Sequence, residues 1–71
     1  VKLPRDLSGR DIAKGLIRLG FASLRQTGSH LIMRRNSCTV VVPQHRYVKP
    51  GTLKGILEQG GVSLEELLEN I

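Results

Sequence analysis

The sequence predicts an α+β domain in the order α-β-β-β-α-α, with one three-stranded antiparallel sheet and its helices packed on a single face. Two observations carry this. Residues 8–20 and 50–61 place apolar residues at helical spacing and finish on glycine. Between them, three short β-prone runs are separated only by tight turns, and turns that short join antiparallel neighbours.

Val1 to Leu7 reads as a lead-in, with Leu3-Pro4 inside it. Ser8 is the expected N-cap of the first helix, with Asp11 three residues on as a capping-box partner and Leu7 and Ile12 as a hydrophobic staple. Ile12, Leu16 and Leu19 share one face, with Ala13 at its edge, while Arg10, Lys14 and Arg18 form a basic stripe away from it. Gly20 closes the helix, and Phe21 is placed to fold back onto Leu16 in a Schellman arrangement.

Ala22 to Gln26 is the first expected strand, with Ala22, Leu24 and Gln26 on one face and Ser23 and Arg25 on the other. Thr27-Gly28-Ser29 turns the chain, His30 to Arg34 returns, and Arg35-Asn36-Ser37 turns it again. Cys38 to Val42 is a β-branched run that Pro43 stops. The runs Leu31-Ile32-Met33 and Val40-Val41-Val42 blur the alternation, so periodicity leaves open which face His30 shares. After a loop over 44–49, Pro50 suits the N1 position of a second helix whose apolar face is Leu53, Ile56 and Leu57 and whose end is Gly60-Gly61. Gly55, Gly60 and Gly61 are expected to serve packing and capping. Ser63 and Glu66 make a capping box, stapled by Val62 and Leu67, for a short acidic last helix.

The 71 residues make one domain, spanning 1–71, with a small core. A single cysteine, Cys38, excludes an internal disulfide and reads as a small buried hydrophobe; a reducing cytoplasm is the expected location. No apolar run approaches the roughly 18 residues of a membrane span, and no signal-peptide core is seen near Val1, so no membrane association is expected. Two histidines and one cysteine, widely spaced, form no zinc pattern.

Charge is unevenly distributed. All eleven Lys and Arg lie at or before Lys54 against only Asp6 and Asp11, an excess of nine, whereas Glu58, Glu65, Glu66 and Glu69 follow with no base. That polarity points to a polyanion on one side of the molecule. Phe21 and Tyr47 are the only aromatics, which argues against a base-stacking sheet and for recognition of shape and phosphate. His30 is the candidate working residue: it stands where a turn enters a strand, held by the sheet yet open to solvent. An imidazole's ordinary titration near pH ~6.5 lets it take or give a proton at neutral pH. His45 and Tyr47, in the loop before the second helix, read as packing or partner-contact residues, with His45, the only other imidazole, as the lesser candidate for a general acid.

Leu3-Pro4-Arg5-Asp6-Leu7-Ser8-Gly9, a helix ending Arg18-Leu19-Gly20-Phe21, and then Arg25-Gln26-Thr27-Gly28-Ser29-His30 together resemble the HicA (YcfA-like) family of toxin mRNA interferases. Val42-Pro43-Gln44-His45, and Lys49-Pro50-Gly51-Thr52-Leu53 followed by Ile56-Leu57, resemble that family's second signature. The likeness covers almost the whole chain with order and spacing intact. It implies a double-stranded-RNA-binding-domain-like fold and cleavage of mRNA with no metal ion or other cofactor. A HicB-like antitoxin encoded beside the toxin is the implied partner, and His30 the implied catalytic histidine. Leu31 stands where many members carry a second histidine.

RNA carries its own nucleophile, so His30 as general base at the ribose 2′-hydroxyl would leave a 2′,3′-cyclic phosphate. One positioned acid–base group contributes ~10²–10⁴-fold, enough for a toxin that needs few cuts per message. Arg25, Arg34 and Arg35 flank His30 along the sequence, and with Arg10, Lys14 and Arg18 they make the expected RNA-contacting set. The competing readings are an RNA-binding module without catalysis and a basic domain that meets an acidic protein.

Overall fold

The computed structural model describes residues 6–71; residues 1–5 of the lead-in expected over 1–7 lie outside them. The elements are α1 (Gly9–Arg18), β1 (Ala22–Thr27), β2 (His30–Arg35), β3 (Cys38–Pro43), α2 (Pro50–Gly60) and α3 (Leu64–Glu69). The sheet has the order β1-β2-β3, both pairings are antiparallel, and the helices pack on one of its faces.

Local rules set the helix ends. The Asp11 backbone N–H donates to Ser8 Oγ at 3.0 Å, the Ser8 half of the expected capping box. Gly20 sits at φ 101°, its N–H donating to the Ile17 carbonyl at 3.0 Å while the Phe21 N–H reaches Leu16 O at 2.9 Å. This is a complete Schellman motif, and it delivers the Phe21 ring into the core. Gly61, at φ 66°, closes α2 in the same way, with its N–H on Glu58 O and the Val62 N–H on Leu57 O. Both halves of the Ser63–Glu66 box are present, and those bonds hold the Glu66 carboxyl below its ordinary pKa.

Both hairpins are tighter than the sequence suggested. Thr27 pairs with His30 and Arg35 with Cys38, so each loop shrinks to two residues, Gly28-Ser29 and Asn36-Ser37. Gly28 at φ 59° and Asn36 at φ 55° supply the left-handed backbone such loops need.

The core lies between the helices and the β2–β3 half of the sheet: Ile12, Leu16, Met33, Val40, Val42, Leu53 and Leu67 are almost wholly buried. β1 is exposed along its whole length, an edge strand projecting beyond the helical cover. Two glycines let backbones close up. A Cβ at Gly9 would meet Pro43 and Gln44 backbone, and one at Gly15 would stand 2.7 Å from the Leu67 side chain. Gly55 differs from its expected packing role: nothing lies within 4 Å of where its Cβ would be, because that side of α2 faces open space.

Candidate functional site

His30 is the first residue of the central strand, with Thr27 beside it on β1 and Pro43 beside it on β3, and its side chain is exposed. The structure settles the face that periodicity left open. Alternation along β2 sends Leu31, Met33 and Arg35 toward the helices and His30, Ile32 and Arg34 to the bare face. Leu31 packs against the core.

A bulge corrects the expected faces of β1. Ser23 pairs with Met33 but Arg25 pairs with Ile32, leaving Leu24 as the extra residue, 55% exposed. Cross-strand partners share a face, so Ser23 and Gln26 lie on the helix side while Ala22, Arg25 and Thr27 lie on the bare one. The inserted residue therefore turns Arg25 onto His30's face, where Arg34 also stands. Four residues along a strand separate His30 and Arg34, roughly 13 Å at the usual rise.

Arg35 goes elsewhere, which corrects its expected place among the RNA-facing cations. Paired with Cys38 on the helix side, its Nη1 donates to Leu19 O at 3.0 Å and its Nη2 to Gly60 O at 3.3 Å. The guanidinium carbon lies 4.8 Å from the Phe21 ring centroid. One cation thus joins the C-terminal ends of α1 and α2, and its donors point inward.

The α1 stripe is where its spacing placed it. Arg10, Lys14 and Arg18 are exposed and line a groove of about 340 Å³ with Ala13, Ile17 and Gln44. Ile17, 53% exposed, is an apolar residue amid three cations. Gln44 connects this groove to the histidine end of the sheet, since its backbone N–H donates to the Ser29 carbonyl. The next residue, His45, brings a second imidazole there: Ser29 Oγ and His45 Nε2 are 3.4 Å apart. The His45 carbonyl in turn accepts from the Gly9 N–H at 2.9 Å, and the Val48 N–H donates to Leu7 O at 2.8 Å. The loop over 44–49 is thereby tied to the start of α1.

His45, expected as a packing or contact residue and only secondarily as a general acid, is exposed and adjoins the residue before His30. A signal for it existed. Once Asn36-Ser37 is taken as a two-residue turn, His30 must fall opposite Pro43, and residues 44 and 45 must emerge beside it. A cavity of about 260 Å³ is lined by Pro43, His45, Tyr47, Val48, Lys49 and Thr52. No group of acidic, histidine or cysteine side chains able to hold a metal ion is found among the described residues.

The chain is thus a small α+β domain with a solvent-open imidazole at one sheet end, cations on the bare sheet face and more along its first helix. The sequence matches the family described as HicA toxin of bacterial toxin-antitoxin over residues 9–62, more than half of the chain, and the chain belongs to that family. It is a toxin component of a toxin–antitoxin pair, which implies an antitoxin partner. No curated protein matches the sequence. None of the described helices is long and apolar enough to cross a membrane.

Proposed function

We propose that this toxin is an endoribonuclease that cleaves mRNA, with His30 as the proton-transfer residue. The observation that supports it most directly is His30 itself: exposed, fixed at the mouth of the central strand, and sharing the helix-free face with Arg25 and Arg34. A ribose seated there gives its 2′-hydroxyl proton to the imidazole, and the 2′-oxygen attacks the adjacent phosphorus. The P–O5′ bond breaks, leaving a 2′,3′-cyclic phosphate and a 5′-oxygen that takes a proton from water. The RNA supplies the nucleophile, so the protein's share is to move a proton and to stabilise charge on phosphate oxygens, here by Arg25 and Arg34. Arg10, Lys14 and Arg18 extend the positive surface toward the flanking backbone, and Arg35 is assigned to holding the helices.

Replacing His30 with Ala is expected to remove growth arrest and RNA cleavage while leaving the circular dichroism spectrum and melting temperature close to wild type. The exposed side chain has little packing to lose. A His30→Ala variant that still arrests growth and still generates new RNA 5′ ends would refute the assignment.

The antitoxin is proposed to be HicB-like and to act in the cytoplasm by covering the basic surface. A specific observation favours the α1 groove as part of its footprint: a phosphate backbone has no use for Ile17, whereas an acidic segment with one apolar anchor matches both the isoleucine and its three cations.

A further inference from the structure

We propose that the cavity between the end of β3 and the start of α2 is a nucleotide subsite that holds one unit of the RNA next to the scissile bond. The inference rests on the endoribonuclease reading and adds to it the place where a base is gripped. Four features of the cavity carry it.

The first is composition. Within about 260 Å³ the lining combines an aromatic ring (Tyr47), an ammonium group (Lys49), an imidazole (His45) and a hydroxyl (Thr52), over apolar Pro43 and Val48. A nucleotide needs a flat surface for its base, a cation for its phosphate and hydrogen-bonding groups for its edges, and the cavity offers each kind. The volume lies just under the ~300–1,000 Å³ of drug-sized sites, which suits a single nucleotide rather than a longer stretch.

The second is the state of Tyr47. Its side chain is 60% exposed, the most exposed large hydrophobic among the described residues, so the core does not account for it. Arg46 stands over the ring with its guanidinium carbon 5.6 Å from the centroid, and Arg46 does not line the cavity. An aromatic ring braced by a cation and presented to a cavity is a stacking surface for a base.

The third is position. Pro43 lines the cavity and is also the β3 partner of His30. His45 lines it and approaches Ser29, the residue before His30. A strand with its ribose at His30 therefore has the cavity as an immediate neighbour.

The fourth is rigidity. The loop carrying His45, Tyr47 and Lys49 is tied to the α1 entry by the Gly9 N–H bond to His45 O and the Val48 N–H bond to Leu7 O, and Val48 is buried in the core. The subsite is thus largely formed before any ligand arrives, which lowers the entropy cost of binding.

The roles follow. Tyr47 stacks on the base, Lys49 meets a phosphate, and His45 and Thr52 are positioned to hydrogen-bond the nucleotide. One exposed aromatic then suffices where a stacking sheet would need several: the sheet and α1 read the backbone, and the Tyr47 ring reads one base.

The test is equilibrium binding of a fluorescein-labelled, mixed-sequence 2′-O-methyl octaribonucleotide, which cannot be cleaved through its 2′-oxygen, followed by anisotropy across a salt series. Stacking a base on an aromatic ring corresponds to ~5- to 150-fold in affinity, so Tyr47→Ala should weaken binding by about 5-fold or more, and Tyr47→Phe should retain it. Lys49→Ala should also weaken binding and reduce the log–log salt slope by roughly 0.7, the value for one phosphate of a single strand. Tyr47→Ala should leave that slope unchanged. Wild-type affinity in both Tyr47→Ala and Lys49→Ala, or no saturable binding by the wild type, would overturn the subsite. The two readings fail separately. Active His30→Ala protein with Tyr47-dependent binding refutes only the catalytic assignment, and inactive His30→Ala protein with Tyr47-independent binding refutes only the subsite.

Discussion

Gly9→Ala tests how the site is held together. Gly9 opens α1 directly beneath the end of β3. A Cβ there would lie 2.8 Å from both Gln44 Cα and the Pro43 carbonyl carbon, and closer still to the Pro43 carbonyl oxygen. These are backbone atoms, so no side-chain rotation relieves the clash; the helix start and the strand end must separate. Separation stretches the 2.9 Å bond from the Gly9 N–H to His45 O and loosens Ile12 and Ala13 in the core just behind it. Overpacking of this kind costs about 1–3 kcal/mol, and a weakened hydrogen bond adds about 1 kcal/mol. Opposing them, alanine gains about 0.5–1 kcal/mol over glycine within a helix. The balance is a destabilisation of roughly 2 kcal/mol, which lowers Tm by about 8–16 °C for a domain of this size. Thermal melts and urea midpoints read it directly, with Gly51→Ala as the control, since nothing lies within 4 Å of a Cβ there. Because Pro43 borders His30 and His45 adjoins Ser29, Gly9→Ala should also lose RNA cleavage at temperatures where it is still folded. A Gly9→Ala variant that melts at or above the wild type would refute the close approach and the account of the site built on it.

Arg35→Met should cost about 2–3 kcal/mol, since it orphans the Leu19 and Gly60 carbonyls and removes the cation from Phe21; urea denaturation reads the loss, while RNA affinity measured below the transition stays near wild type. Arg35→Lys keeps the charge without the two-pronged geometry and should recover only part of it. Gly55→Ala should stabilise by about 0.5–1 kcal/mol, because the added methyl enters open space and only the helix propensity changes; a lowered Tm would show that the α2 surface is not open there. The Glu66 carboxyl is held below its ordinary pKa first by the Ser63 backbone N–H and then by the Ser63 hydroxyl. Its contribution is therefore fully present above the ordinary value of 4.5 and is lost as pH falls through the lower folded value. Urea midpoints taken across that acid window should fall less steeply for Glu66→Gln, which still accepts the Ser63 N–H but does not titrate.

The features legible from the sequence were those decided within a few residues. The Ser8 cap, the Gly20–Phe21 ending of α1, the Ser63–Glu66 box and the two reversals around Gly28 and Asn36 each involve partners at most five positions apart, so residue type alone names them. The sheet order followed, because turns that short leave only neighbouring antiparallel pairs. His30's place at the start of a strand after a turn was legible on the same local grounds, and its side chain is exposed there.

What only the tertiary structure decided were matters of register and close approach between distant segments. One extra residue at Leu24 turned Arg25 to the bare face, and strand alternation turned Arg35 inward onto carbonyls sixteen and twenty-five positions away. Gly9 was needed because β3 passes against it, and the cavity at Tyr47 and Lys49 exists because the loop over 44–49 is bonded to the entry of α1. A side chain's direction in a strand depends on which partner residue it meets. That is fixed by the packing of the whole domain, and no single stretch of sequence contains it.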